Sequence, residues 1–560
     1  MSEARRGGGN AAGAVVAWRH AMHRARRFGH DEAGVSAVFF GIVFAVIMLA
    51  TAIAVDHGRL VTEVSRDRWA LDAAVLAASD RLGTDDQDTS GKALARLFYD
   101  ENRRDSVESE IVDIVLDAEN GEVSARTQTT WHSTLLKAFG YDTVDLGVSA
   151  RVVRGDGTVE VALVLDNSGS MAGSYIEELR TASKDLVDIV FAGAEGTDKV
   201  KVGVVPFAAS VNVGPDNADE SWMDQSGGSS IHHIDQLAGE RRTRQQLFSD
   251  LGVAWAGCVE VRPGAHATSD SLPSDTDADS LFVPMFAPDE PDPRNDQGNS
   301  YNNSYVVDDG GSCTPQACNC TKTNKQGACT NWSLAKIASA AEAQARTCKY
   351  AGGGSVPADS CSRGSQDGPG PNYMCTTRPL LALSQDKTEV KTAIDAMGAS
   401  GNTNIGEGVM WGWRVLSPTL PFAEGRSYDD VENKKALIVM TDGQNTYSSS
   451  SNHNKSRYGA YGYADPYEAG AEGRLGTTYT STAYVSQMTQ NTRTACANAK
   501  AAGITVFSVA FRLESDPATQ ALLRECASGT DKVFVASNGD ALIQSFQNIG
   551  RQISQLRISD

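Results

Sequence analysis

Residues 159–170 read VEVALVLDNSGS, and the fold turns on them. Val159 to Leu165 is an apolar run rich in β-branched residues, as expected of a strand buried on both faces of a parallel sheet. It stops at Asp166-Asn167-Ser168-Gly169-Ser170, and an amphipathic helix is expected from about Tyr175 to Phe191. Three more runs of the same kind follow: Val200–Val205, Ala436–Met440, which ends in Thr441-Asp442-Gly443, and Ile504–Ala510, which precedes a helix at about Pro517–Cys526. Strands alternating with helices predict an α/β fold with an open, doubly wound sheet. Ligands of such sheets bind at the carboxyl ends of the strands, where the Asp-x-Ser-x-Ser and Thr-Asp-Gly segments fall.

Those two segments offer only oxygen donors: two serine hydroxyls two residues apart, Asp166 just before them, and Asp442 on another strand end. Hard oxygen ligands carrying few charges suit Mg²⁺, or Ca²⁺ and Mn²⁺, rather than Zn²⁺. The plainer alternative is that Asp166 and the serines merely cap the following helix.

Outside this region the charge is uneven. The 560 residues carry a net charge of −20, which argues against binding nucleic acid. Apolar residues are 41% and charged ones 21%, which excludes wholesale disorder. Residues 1–33 nevertheless hold six arginines and three acids, a cytoplasmic basic arm of local charge +3. Gly34 to Val55 then gives 22 residues without a charge, long enough to cross a bilayer as a transmembrane helix. A cleaved signal is the competing reading, but the run exceeds the usual signal core and no clean cleavage site follows it. The positive-inside rule places the arginine side in the cytoplasm and residues 57–560 across the membrane. All ten cysteines lie on that far side, where an oxidising compartment favours disulfides.

Beyond the membrane, Leu60, Val64, Leu71, Val75, Ala78 and Leu82 form one helical stripe, so the helix is expected to continue to about Leu82. A loop over Gly83–Gly91 and a short helix over Lys92–Glu101 follow. The period then becomes two, with Val123, Ala125, Thr127 and Thr129 against Ser124, Arg126, Gln128 and Thr130. With Ile111–Leu116 and Val144–Val153, this predicts a small antiparallel sheet leaning on the helix, an α+β stalk over 56–154 with a pilin-like plan.

The DNSGS run closing an apolar strand, the loop Gly401-Asn402-Thr403-Asn404-Ile405-Gly406 and the MTDG at 440–443 together resemble the metal-ion-dependent adhesion site (MIDAS) of von Willebrand factor A domains. The resemblance implies that Ser168 and Ser170 coordinate a metal directly, Thr403 directly or through water, and Asp166 and Asp442 mostly through water. It also implies metal-dependent protein binding, with an acidic residue of the partner completing the coordination. The domain, at 155–560, is about twice the usual length. The excess is a Cys-rich insert at about 215–383 holding Cys258, Cys313, Cys318, Cys320, Cys329, Cys348, Cys361 and Cys375. A loop-rich segment stapled by disulfides is expected there, with Cys258 and Cys375 among the candidates and the pairing open. Cys496 and Cys526, on the helices flanking the Ile504 strand, are candidates to pair with each other.

Five stretches extend the resemblance to the TadG-like (TadE/TadG) proteins of tight-adherence Flp pilus assembly. They are EAGVSAVFFGIVFAVIMLATAIAVDHGRL at 32–60, FVPMFAPDEPD at 282–292, GNTNIGEGVMWGWRVLSP at 401–418, VMTDGQNT at 439–446 and DALIQSFQNIGRQISQLRIS at 540–559. This implies a single-pass protein of the bacterial inner membrane with its bulk in the periplasm, whose partners are pilus or secretion components. Prepilins of that system carry Glu at the fifth position after the cleavage glycine. Counted from Gly34 that position is Phe39, so an unprocessed anchor is expected rather than a fibre subunit. A structural, minor pilin-like subunit is the alternative. A hydrolase is a lesser one, since the sequence has no G-x-S-x-G elbow, H-E-x-x-H helix or P-loop. Its most conspicuous pair, His232-His233, would point to opposite faces of a strand.

Overall fold

The apolar run at 34–55 folds as part of one long helix, α1 (Glu32–Ser79), in a computed structural model of the chain. The structure describes residues 32–79, 81–82, 87–103, 108–117, 122–153, 157–291, 301–306, 319–327, 329–333, 339–351, 369–468, 473–475 and 479–558. The basic arm up to residue 31 lies outside them. Among the described residues α1 is the one helix long and apolar enough to cross a membrane. The chain divides into two units, 1–154 and 155–560.

In the first unit the stripe on α1 is buried where it leaves the apolar run: Leu71, Val75 and Ala78 pack against Ile114, Leu116, Val123 and Ala125. Residues 83–86 of the expected loop lie outside the described residues, and Gln87–Gly91 is instead a helical turn entering α2 (Lys92–Asn102). Next come β1 (Glu108–Asp117), β2 (Glu122–His132), β3 (Thr143–Leu146) and β4 (Ser149–Val153). β2 is central and pairs antiparallel with the other three. Its inward face, Val123 to Trp131 at every second residue, is the period-two pattern of the sequence. The polar inward positions converge on Asp67 of α1, whose carboxylate accepts hydrogen bonds from Thr127 Oγ1 (2.9 Å) and Thr129 Oγ1 (2.8 Å).

The second unit runs β5 (Thr158–Asp166), α3 (Ser174–Phe191), β6 (Val200–Phe207), α4 (Arg244–Leu251), a hairpin of β7 (Asn319–Thr323) and β8 (Cys329–Ser333), and the short α5 (Ala340–Ala345). Then come β9 (Leu381–Ser384), α6 (Lys387–Asp395), α7 (Ile405–Leu416), β10 (Asn433–Thr441), α8 (Ser481–Ala501), β11 (Thr505–Phe511), α9 (Pro517–Cys526), β12 (Val533–Ala536) and α10 (Gly539–Ile558). The six-stranded sheet has the order β12-β11-β10-β5-β6-β9, parallel throughout except for the edge strand β9. β5 is apolar from Val161 to Leu165, where it is covered twice. Ala162 and Val164 face the layer of α7, α8 and α9, while Val161, Leu163 and Leu165 face α3 and α10.

Two expectations are corrected here. The insert was expected to end near Leu383, but Leu381 and Leu383 belong to β9 of the main sheet. It was also expected to be a loop-rich segment held by disulfides, yet Trp222, Phe248, Phe282 and Phe286 join Trp411 and Trp413 of α7 in one apolar cluster. The Trp222 and Phe282 rings meet edge-on at 5.6 Å, and Phe282 lies 5.0 Å from Trp411. A second excursion, after Thr-Asp-Gly, supplies Tyr447, Tyr458, Tyr461 and Tyr463 to a further cluster with Val261 and Met285 of the insert. Apolar burial therefore holds this segment, with a Cys258–Cys375 disulfide added to it. Cys496 and Cys526 form a disulfide between α8 and α9. Cys348 is disulfide-bonded, Cys320 and Cys329 sit in the hairpin strands, and Cys313, Cys318 and Cys361 lie outside the described residues.

Candidate metal centre

Sheet register builds the site. Met440 of β10 pairs with Leu165 of β5, so Thr441-Asp442 and Asp166-Asn167 leave the sheet side by side. Asp166 is fully buried and both its oxygens have protein partners: Oδ1 accepts the Ser168 N–H (2.8 Å), and Oδ2 accepts the Thr441 hydroxyl (2.5 Å). These bonds fold the DNSGS turn so that Ser168 Oγ lies 3.0 Å from Ser170 Oγ. Ser170 in turn donates to Asp442 Oδ1 at 2.6 Å. Two hydroxyls and a carboxylate thus form a continuous chain, buried at Ser168, half-buried at Asp442 and exposed at Ser170.

The Thr403 loop docks onto the same turn through its backbone. Gly169 N–H donates to Gly401 O (2.9 Å) and Ser400 N–H to Asn167 O (2.8 Å). Gly401 has φ +91°, a left-handed conformation open to glycine, and a Cβ there would also meet Thr376 Oγ1 at 2.9 Å. Thr403, buried, exchanges bonds with Thr446: its N–H donates to Thr446 Oγ1 (2.7 Å), and its carbonyl accepts the Thr446 N–H (2.9 Å). Asn445 Oδ1 accepts the Ile405 N–H, and Asn404 caps α7 through the Glu407 N–H. Thr441, Asn445 and Thr446 were not singled out in the sequence as site residues. Their signal was present, because all three lie in the VMTDGQNT stretch.

The electrostatics suit a cation. Burial pushes the Asp166 carboxyl up to about 6, and nearby Asp442 pushes it further the same way, against the Thr441 and Ser168 hydrogen bonds. Burial also raises Asp442, while the Ser170 bond lowers it. Two neighbouring carboxylates therefore disfavour each other's charge, which a bound cation would relieve. Spacing points the same way. Octahedral Mg²⁺ at about 2.1 Å from its oxygens sets adjacent ligands about 3.0 Å apart, the Ser168–Ser170 separation. No group of three or more His, Cys, Asp or Glu able to hold a metal exists among the described residues. This donor set is instead made of hydroxyls and two carboxylates, the hard oxygens that Mg²⁺ and Ca²⁺ take.

The helix-capping alternative does not describe the serines. Helix α3 begins at Ser174 after Gly173, which makes no side-chain capping bond. The histidine pair is also corrected. His232 and His233 lie in a turn, not a strand, and their rings are 4.8 Å apart. Buried His232 accepts the Arg244 N–H at Nε2 (2.9 Å), so its proton is on Nδ1, donated to Asp224 Oδ2 (2.8 Å). Burial lowers the His232 pKa, and both ring nitrogens are occupied in holding the turn.

No protein-family model and no curated protein matches the chain. Among solved structures it is similar to the vWF domain of the type V pili tip protein Mfa5 from Porphyromonas gingivalis, with 10% identity and a TM-score of 0.33 over 72% of this chain and 97% of that one. It is similar to the pilus adhesin SpaC from Lactobacillus rhamnosus GG at 13% identity and TM-score 0.29, over 80% of this chain and 34% of that one. For the pilus adhesin RrgA from Streptococcus pneumoniae the values are 9% and 0.30, over 80% of this chain and 48% of that one. The chain thus spans about a third of SpaC and about half of RrgA.

Proposed function

We propose that this chain is a membrane-anchored adhesion or assembly factor of a bacterial pilus, of the TadG-like kind. In this reading its von Willebrand factor A module binds a protein partner through a metal-ion-dependent adhesion site. Asp166, Ser168, Ser170, Thr403 and Asp442 hold Mg²⁺, or Ca²⁺ or Mn²⁺, and the metal takes a carboxylate from the partner. The observation that carries the reading is the Ser168–Ser170–Asp442 oxygen chain, drawn from two strand ends and open to the surface at Ser170. Helix α1 anchors the chain in the inner membrane with its N-terminus cytoplasmic and the bulk periplasmic.

The test is a crosslinking pull-down from intact cells with Mg²⁺ present, comparing wild type with Asp166→Ala, alongside calorimetric Mg²⁺ titration of the purified chain. Asp166→Ala and chelation are each expected to abolish capture, and Asp166→Ala to weaken Mg²⁺ binding at least about tenfold, with the fold retained. Capture that survives both changes would remove the metal site from the function. A second reading, a minor structural subunit, draws on the plan of the first unit, one long helix bearing a small antiparallel sheet. Mature protein beginning near Val35 on N-terminal sequencing would favour it.

A further inference from the structure

We propose that the β2–β3 tip, residues 135–144, is a lipid-binding foot that rests in the membrane interface where α1 leaves the bilayer. The proposal builds on the anchor reading of α1 and concerns a surface the metal site does not use. The tip's height above the membrane follows from a ladder of contacts along α1 at three levels. Near the top of the stalk, Val123 and Ala125 pack with Leu71, Val75 and Ala78. Lower down, Thr127 and Thr129 bond Asp67. At the bottom, Asp56 receives the N–H groups of Leu135 (2.8 Å) and Leu136 (2.7 Å) on one carboxylate oxygen, with the Thr134 N–H at 3.2 Å. Arg59 adds a bond to the Thr134 hydroxyl. As β2 advances, its partners on α1 retreat toward the membrane.

The distances agree. Asp67 to Asp56 is about 16 Å along a helix, and the chain from Thr129 to Leu135, in strand as far as His132, reaches at most about 20 Å. Asp56 directly follows Val55, the last residue of the uncharged run. That run, Gly34 to Val55, is about 33 Å long as a helix against a hydrocarbon core of about 30 Å. The tip is therefore tied to the level at which hydrocarbon gives way to headgroups, and the tie is firm: Asp56 is 1% exposed although it carries a carboxylate.

What the tip presents at that level is apolar and aromatic. Tyr141 is 68% exposed, Phe139 45% and Leu135 40%, with Val144 beside them. Among them is Lys137, paired with Asp142 at 3.0 Å. The tip's backbone is closed on itself, with Gly140 N–H bonded to Lys137 O and Tyr141 N–H to Leu136 O. Such closure lowers the cost of bringing these amides next to hydrocarbon. Tyrosine, phenylalanine and a lysine with a flexible stem are the residues that settle at the headgroup boundary.

The test uses the full chain reconstituted in phosphatidylethanolamine and phosphatidylglycerol vesicles, carrying a photoreactive phenylalanine analogue at one position at a time. Position 139 is compared with Leu49 inside the apolar run, and with Val112 of β1, similarly exposed at 48% but near the Asp67 level. After irradiation, mass spectrometry is expected to find lipid adducts at 49, and at 139 several-fold above 112. Position 141 should repeat the result, and Asp56→Ala should lower the adduct at 139 by freeing the tip. Adducts at 49 with 139 no higher than 112, or crosslinks from 139 to protein alone, would overturn the foot and leave the anchor standing. Absence of adducts at 49 as well would overturn the anchor and the foot together.

Discussion

Asp166 shows how a single carboxylate couples the site to stability. Its native pKa is about 6, against an ordinary 3.8, because burial and Asp442 oppose its charge. Below about pH 4 both native and unfolded chains hold this proton. Between about pH 4 and 6 the native state keeps a proton that the unfolded chain has released, so stability falls as pH rises. Above that window the loss is constant, on the order of 3 kcal/mol. In metal-free protein, the urea midpoint should therefore drop across this window by more in wild type than in Asp166→Asn, whose amide does not titrate. Asp235, raised to about 7 by burial, contributes to both proteins and cancels in the difference. Mg²⁺ at pH 7 should recover the wild-type loss and stabilise Asp166→Asn less. Parallel pH curves for the two proteins would mean that Asp166 does not carry this strain.

At the scale of elements, α7 is the part on which both site and insert depend. Its N-terminus carries the Thr403 loop, and its body carries Trp411 and Arg414 beneath the insert's Phe282. The helix sits very close to the sheet: a Cβ on Gly412 would lie 2.4 Å from Val164 Cγ2 and 3.1 Å from Leu437 Cδ1. Gly412→Ala gains helix propensity of about 1 kcal/mol but overpacks the core at a cost of about 1–3 kcal/mol. The 2.4 Å approach, closer than real Cβ atoms come, makes overpacking the larger effect. The variant should lose up to about 2 kcal/mol in denaturant titration and bind Mg²⁺ more weakly, because the shift in α7 is passed to Thr403. Unchanged stability would show that the interface can yield.

The same elements show what could be read from sequence. β5, β6, β10 and β11 were legible because burial on both faces writes itself as an apolar run. The edge strands β9 and β12 were not: LALS and VFVA are four residues each and only partly buried, so pairing rather than composition places them. Asp166, Ser168, Ser170 and Asp442 were legible because strand ends gather them. The core of the insert was hidden, since Trp222, Phe282 and Trp411 meet across long stretches of chain with no period to announce them.

At the scale of the whole molecule, the two units are separately built. The four-stranded sheet of the first and the six-stranded sheet of the second share no strand, and each unit has its own apolar clusters. Every proposed metal-holding residue lies in the second. A chain with separate cores should not unfold in one step. The fragment 157–560, made under oxidising conditions so that Cys258–Cys375 and Cys496–Cys526 form, should fold alone and bind Mg²⁺ within about twofold of the full chain's affinity. Reduction should lower its melting point, since opening a 117-residue loop and a 30-residue loop frees the unfolded chain by about 2–5 kcal/mol each. Calorimetry of the full chain in detergent should show two transitions, of which only the one matching the fragment moves with Mg²⁺. One merged transition, or a fragment that fails to bind the ion, would mean that the first unit helps to complete the second.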